Sequence, residues 1–211
     1  VKQAIGFLGG SFDPIHHGHL LPAIEVAQKL NLKQLFLMPN HIAPHKAGSH
    51  CSAAQRCEMV SLAIQRHAQL QIDQRELNRH SASYTIETLK EIRTEHPTTP
   101  ICFMMGMDSL IHFDSWFEWQ DIINYCHLII CARPGWKGEF SKKIQTLLNK
   151  RQTDCVNDLH AQLSGKIFFQ PTTQVDISST QIRFNIKHHK SVENLLPSSV
   201  YHYIQQHQLY R

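Results

Sequence analysis

The sequence predicts an α/β fold, a doubly wound parallel sheet with a small C-terminal helical portion. Three observations predict it. Short apolar runs of strand length alternate with segments of helical period along the chain. Those runs are continuously apolar, as strands covered on both faces must be. The first run, the helix after it and the second run also fill the thirty-odd residues of one β-α-β crossover. With 211 residues the chain can bury a full core, and we read it as a single domain, 1–211.

The elements follow in order. Ala4 to Leu8 is a short apolar strand ending in Gly9 and Gly10. Pro22 falls early in the next helix, where a missing N–H costs little, and Ala23, Val26, Ala27 and Leu30 recur on one face. Leu35 to Met38 is the second strand, closed by Pro39. Asn40 to Ser52 reads as loop. Val60, Ala63, Ile64 and His67 mark a helix, and Leu70 to Ile72 a strand. Glu76 to Ala82 is polar and loop-like. Ser83 is a candidate cap for a helix carrying Ile86, Leu89 and Arg93 on one face, ended by Pro97. Ile101 to Met105 is a buried strand that stops at Gly106. Trp119, Ile122 and Ile123 suggest a helix. Leu128 to Ala132 is a strand, Lys142 to Asn149 a helix, and Ile167 to Phe169 the last strand. Gln181 to Ile186 and Val200 to Gln206 are the closing helices. Gly135 to Ser164 is more polar and reads as a helical insertion or lid-side element.

The totals narrow the function classes. Net charge is +4 and the hydrophobic fraction 42%, the values of an ordinary globular protein. No apolar run approaches the roughly 18–20 residues of a membrane span, and no signal peptide is visible. No dense Lys/Arg block exists to track a nucleic-acid backbone, so neither nucleic acid nor membrane is expected as partner. A small polyanion suits the mild basic balance. The six cysteines form no C-x-x-C pair and read as buried reduced thiols of a cytoplasmic protein. His41, His45, His50 and Cys51 match no zinc spacing, and no protein-held metal is expected.

Ligands of open parallel sheets sit beyond the carboxyl ends of the strands. Five polar clusters fall at such places: Gly9 to His19, Asn40 to Lys46, Gly106 to Ser109, Arg133, and Asp176 to Thr180. The first is the most telling. Gly9 and Gly10 let backbone approach a ligand. His16 and His19 then sit three apart at a helix start, where free N–H groups and the dipole already favour anions. Gly18 between them is expected to leave room for phosphate. Ser178, Ser179 and Thr180 form a hydroxyl run at another helix start. They are either N-caps or a second anion cradle, with Arg183 one turn on as a phosphate ligand. Asp108 reads as a helix cap or as a ribose or base contact. Lys46 is a solvated charge or a phosphate contact. Trp116 and Phe117 are core or a stacking surface. Neither G-x-x-x-x-G-K-[ST] nor G-x-G-x-x-G is present, so a nucleotide would be bound by another route.

G-G-S-F-D-P-I-H-H-G-H-L with I-S-S-T-Q-I-R resembles the nucleotidyltransferase superfamily that carries an H-x-G-H signature. P-N-H-I-A-P-H-K, S-Y-T-I-E-T-L, and G-M-D-S-L followed by W-F-E-W narrow the resemblance to the bacterial nicotinate-nucleotide adenylyltransferases, over most of the chain and in the right order. The resemblance implies a Rossmann-like nucleotidyltransferase fold. It implies transfer of the adenylyl group of ATP to nicotinate mononucleotide, giving deamido-NAD and pyrophosphate in cytoplasmic NAD biosynthesis, with Mg²⁺ carried on the ATP phosphates. Carried over, Gly9, Gly10, Ser11 and Phe12 line the nucleotide cleft. His16 and His19 meet the ATP phosphates, with Arg183 and Ser178 to Thr180 on the triphosphate. Gly106 and Asp108 hold adenosine, with Arg133 near the adenine. Lys46, Ser83, Tyr84, Thr85, Trp116 and Phe117 surround the nicotinate nucleotide. His16, His19 and Arg183 are the catalytic set. Two positions depart from the family pattern: Ala43 replaces the first proline of P-P-H-K, and Phe117 stands where tyrosine is common. Transfer to phosphopantetheine or nicotinamide mononucleotide, a nucleotide sensor without turnover, and RNA binding are the alternatives. A homo-oligomer is compatible with the sequence.

Overall fold

The computed structural model describes residues 2–41, 50–79, 83–132, 139–173 and 175–211. Six strands, β1 (Ile5–Gly10), β2 (Gln34–Pro39), β3 (Leu70–Ile72), β4 (Ile101–Gly106), β5 (His127–Ala132) and β6 (Ile167–Pro171), form one sheet in the order β3-β2-β1-β4-β5-β6. Every pairing is parallel. The order reverses between β1 and β4, which places the ligand crevice of a doubly wound sheet beyond the carboxyl ends of those two strands.

The helices among the described residues are α1 (His17–Lys29), α2 (Ala53–Ile64), α3 (Thr85–Glu95), α4 (Met107–Ile111), α5 (Trp119–Tyr125), α6 (Lys142–Arg151), α7 (Asp158–Ala161), α8 (Ser179–Lys187) and α9 (Ser198–Gln206). They cover both faces of the sheet. Cys102 and Met104 of β4 join a core with Val26 of α1, Met59 of α2, Ile182 of α8 and Val200 of α9. Ile101, Phe103 and Met105 join the opposite core with Leu89 of α3, Ile122 of α5 and Ile144 of α6. Alternate residues of one strand thus serve two cores, which is why the run is apolar throughout.

One half-buried and one buried histidine tie the layers together. His160 Nδ1 accepts from the Ala4 amide at 3.0 Å, and its Nε2 meets the Leu30 carbonyl at 2.9 Å. His127, wholly buried, accepts from the Lys166 amide at Nδ1 and donates from Nε2 to the Gln162 carbonyl. That pairing needs the neutral ring, and burial pushes its pKa down to about 4.

Several expectations are corrected. β1 runs two residues further, because Gly9 and Gly10 keep pairing with Met38 and Pro39. Pro22 is the sixth residue of α1, so it removes a helical bond and leaves the Gly18 carbonyl without its i+4 donor. Ser83 is not the cap of α3; Tyr84 holds that position and offers no side-chain acceptor. Ile92 rather than Arg93 completes the buried face of α3. The Arg93 guanidinium donates instead to the carbonyls of His96, Thr99, Tyr125 and Leu163. Asp108 is not a cap either: Gly106 stands at the N-cap of α4, a helix too short to show a period. Among the cysteines, Cys155 is exposed and Cys57 half-buried, while the other four are buried. The described part of 135–164 carries the helices α6 and α7, whose Ile144, Leu148 and Leu159 enter the two cores.

Candidate active site

The site is built where β1 and β4 end. The chain from Gly10 to His16 turns tightly, with Phe12 at φ 45° and a cis Asp13–Pro14 peptide. Four of its carbonyls are met by donors from elsewhere in the fold. The Asn40 amide reaches Gly10 at 3.0 Å, Arg56 reaches Ser11 at 2.7 Å, Arg183 reaches Asp13 at 2.7 Å, and the Ser179 hydroxyl reaches Pro14 at 3.0 Å. A loop with so many fixed carbonyls is held as a rigid platform.

At its end His16 becomes the N-cap of α1. Its ring is 4% exposed and stacks on His19 with centroids 3.8 Å apart. Phe12 meets His19 edge-on at 5.2 Å. Burial first, and then the neighbouring His17, push the His16 pKa down to about 4. The ring is therefore neutral at pH 7, and its buried Nδ1 has no hydrogen-bond partner among the described residues. Gly18 has a reason different from the expected one. A Cβ there would stand 2.9 Å from the His16 ring and 3.3 Å from the Ile177 carbonyl. The place of a side chain at Gly18 is filled by the imidazole and by the chain leading to α8, while the Gly18 backbone faces the first of the cavities described below.

That approach brings the hydroxyl run beside the histidines. Its side chains are largely occupied. Ser178 caps α8 by accepting from the Gln181 amide at 3.1 Å. Ser179 is bonded to Pro14, and Thr180 accepts from Arg183 at 3.4 Å. Ser178 is thus an ordinary N-cap, and the anion-binding capacity lies in the first-turn N–H groups of α8. Arg183 braces the loop through Asp13 with one nitrogen and keeps other donors.

Two cavities open at the strand ends. The first, about 300 Å³, is lined by His19, Gly106 and Asp108 with Gly18, Pro22, Leu8, Cys131 and Met104 to Met107. A Cβ at Gly106 would touch nothing, so β4 ends in open space there. The second, about 550 Å³, is lined by Gly9, Gly10, Ser11, Ser83, Tyr84, Thr85, Trp116 and Phe117, among others. Asp108 belongs to both. The expected nicotinate-side residues in the described part are therefore together. Gly9, Gly10 and Ser11 line the second cavity rather than the first. Phe12 and His16 line neither cavity and lie beneath His19. Lys46 and Arg133 lie outside the described residues, as does His45 of the histidine–cysteine group.

The second cavity has an aromatic wall. Trp116 is held edge-on by Phe113 at 5.4 Å and Phe103 at 6.4 Å. Phe117 is 52% exposed and packs on Tyr84 at 4.9 Å. The N-terminus of α3 opens beside them with no side-chain cap, leaving its first amides to an anion.

The comparisons with known proteins decide the family. The cytidylyltransferase-like family pattern matches residues 7–185. A protein of Psychromonas ingrahamii, named a probable nicotinate-nucleotide adenylyltransferase, is 58% identical over 100% of this chain and 98% of its own length. One of Aeromonas hydrophila with the same name is 45% identical over 100% and 99%. The chain belongs to the nicotinate-nucleotide adenylyltransferases, within the cytidylyltransferase-like family. The fold agrees. The Plasmodium falciparum nicotinic acid mononucleotide adenylyltransferase complexed with NaAD superposes with a TM-score of 0.74, covering 99% of this chain and 97% of that one at 20% identity.

Sequence reasoning missed several lining residues, among them Glu76, Phe103 and His112. Glu76 stood in a stretch read as polar loop. It is buried, and its Oε1 accepts from Thr88 at 2.8 Å while Arg79 donates to the same hydroxyl at 3.0 Å. Burial raises its pKa, with Thr88 and Arg79 opposing the rise. It ties the wall of the cavity to α3. No local pattern distinguishes such a residue from a solvated glutamate.

Proposed function

We propose that this chain transfers the adenylyl group of ATP to nicotinate mononucleotide, forming deamido-NAD and pyrophosphate. The observation that carries the reading is the pair of cavities sharing Asp108 at the carboxyl ends of β1 and β4, with His19 on the wall of one and Trp116 on the wall of the other. The relatives at 58% and 45% identity supply the acceptor. We assign ATP to the first cavity and the mononucleotide to the second.

The chemistry asks little covalent work of the protein. The attacking phosphate oxygen of the mononucleotide is already anionic at pH 7, so no general base is needed. It attacks the α-phosphorus as the bond to the pyrophosphate oxygen breaks in line. The protein must align two polyanions and stabilise charge in the transition state. His19 is the transition-state donor, and His16, neutral and stacked beneath it, fixes its ring. The first-turn amides of α8 and the remaining donors of Arg183 hold the triphosphate. Gly106 admits the adenosine part to the end of β4, and Asp108 sits between donor and acceptor. Trp116 and the Tyr84–Phe117 pair present a flat surface to the pyridine ring. The first amides of α3 at Thr85 and Ile86 meet its carboxylate. Lys46 and Arg133 keep the phosphate and adenine roles that the sequence motif suggests.

Mg²⁺ fits this arrangement as an ion carried on the triphosphate. Among the described residues no group of three or more His, Cys, Asp and Glu side chains gathers into a ligand set, and Asp108 is the acidic side chain shared by both cavities. When bound, the ion neutralises phosphate charge and retains several waters. The proposed setting is the cytoplasm, as the family resemblance implies. No helix among the described residues is long and apolar enough to cross a membrane.

The test uses ATP labelled at the α-phosphorus with nicotinate mononucleotide and Mg²⁺. Label in deamido-NAD with one pyrophosphate per turnover is expected. Label released as AMP, or none transferred, would contradict the proposal.

A further inference from the structure

We infer that Tyr210, far from every motif, is a positioning residue for the histidine pair, acting through Asp13. The inference rests on the adenylyl-transfer reading above. After α9 the chain folds back over the site loop through Gln208 at φ 52° and Tyr210 at φ 65°. Gln208 is the left-handed residue that ends α9: its amide and that of the buried Leu209 bond the Gln205 and Ile204 carbonyls at 3.3 and 3.1 Å. Left-handed backbone at the bulky Tyr210 persists where its surroundings fix it, and here the phenol is what is held. That phenol donates to Asp13 Oδ1 at 2.7 Å.

Asp13 is 4% exposed, so its carboxylate is a buried charge that must be fully bonded. Its other oxygen accepts from the His50 amide at 2.8 Å, and its backbone carbonyl accepts from Arg183 at 2.7 Å. One residue therefore joins the turn after α9, the entry to α2 and the arginine of α8. Three residues later the same loop places His16 against His19. The neighbouring Cys51 lies against the phenol, and burial pushes its thiol up to about 11, so it stays a neutral contact. Removing the phenol hydroxyl would take the 2.7 Å donor from Asp13 Oδ1 and leave the carboxylate to the His50 amide and the Cys51 thiol. The strain would be relieved along the loop that carries the imidazoles. Asp13 and Tyr210 need not touch substrate to do this.

The test is Tyr210→Phe, which keeps the ring and removes only the hydroxyl, beside Ser199→Ala as control. Ser199 donates to the Leu62 carbonyl at 2.9 Å from α9 and has no part in the site. Both variants are expected to lower the Tm. Tyr210→Phe should lower kcat about ten-fold while the calorimetric Kd for ATP changes less than about three-fold. Ser199→Ala should leave kcat unchanged. Combining Tyr210→Phe with Asp13→Asn should cost no more kcat than Asp13→Asn alone, because the two act as one unit. Independent of turnover, the imidazole nitrogen resonances of His16 and His19 should shift in Tyr210→Phe and not in Ser199→Ala. Equal kcat in Tyr210→Phe and wild type, multiplicative effects in the double variant, or unmoved imidazole resonances would each overturn the inference. A wild-type protein without adenylyl transfer would sink the functional reading instead, and the resonances would still decide the role of Tyr210.

Discussion

Gly18→Ala separates the architecture of the histidine pair from the stability of the fold. A Cβ at Gly18 would stand 2.9 Å from both Cε1 and Nδ1 of His16 and 3.3 Å from the Ile177 carbonyl. Carbon contacts are comfortable from about 3.5 Å, so the imidazole must retreat by roughly 0.6 Å. It has nowhere free to go, being 4% exposed and stacked at 3.8 Å on His19. The displacement passes to the ring on the cavity wall. Overpacking costs about 1–3 kcal/mol, and alanine in place of glycine inside a helix recovers about 1 kcal/mol. The net loss of stability is therefore about 0–2 kcal/mol, small enough for a folded variant. Catalysis suffers more, since misplacing reacting groups by ~1 Å can cost ~100-fold. We expect kcat to fall ten-fold or more, with urea unfolding showing only the modest loss. A folded variant with kcat within two-fold of wild type would refute the packing argument.

Three further outcomes are expected. His19→Ala should lower kcat by ~100-fold or more, the scale of losing one preorganised donor, while the Kd for ATP moves little; an unchanged kcat in stopped-flow turnover removes His19 from the chemistry. Trp116→Ala should raise KM for the mononucleotide roughly ten-fold, near the upper range of a lost aromatic contact, and leave KM for ATP alone; a change confined to ATP would reverse the cavity assignment. His127 and His16 both titrate near 4 in the folded chain, below the unfolded value of about 6.5. The unfolded chain then binds more protons between those values, so their contribution is full above about pH 6.5 and is lost as pH falls toward 4. At pH 5 that amounts to about 2 kcal/mol for each ring, read as the difference between urea unfolding at pH 7.5 and pH 5. Equal stability at the two values would contradict the buried neutral rings.

The parallel sheet was legible because burial on both faces writes continuous apolar runs such as Ile101 to Met105. The histidine pair was legible because His16, Gly18 and His19 fall at one helix start. What was illegible depends on partners distant in sequence. Gly18 reads as space for a ligand until the His16 ring is seen where its side chain would stand. Ser178 and Ser179 read as N-caps or as a cradle until their hydroxyls are found on Gln181 and Pro14. Arg93 reads as one side of an amphipathic helix, but its partners are carbonyls up to seventy residues away. Glu76 and Tyr210 carry no local pattern at all, since their roles come from Thr88 and Asp13. Motifs report what a segment does for itself and its ligand; long-range hydrogen bonds leave no such mark.

The most direct measurement compares kcat/KM for nicotinate mononucleotide and nicotinamide mononucleotide at fixed ATP and Mg²⁺, by pyrophosphate release. The two acceptors differ at one carboxylate, which the uncapped amides of α3 would meet beside Trp116. A preference of 100-fold or more for the nicotinate form is expected of a site built to bond that group. Equal use of both would contradict the assignment of α3 and the second cavity to the nicotinate ring.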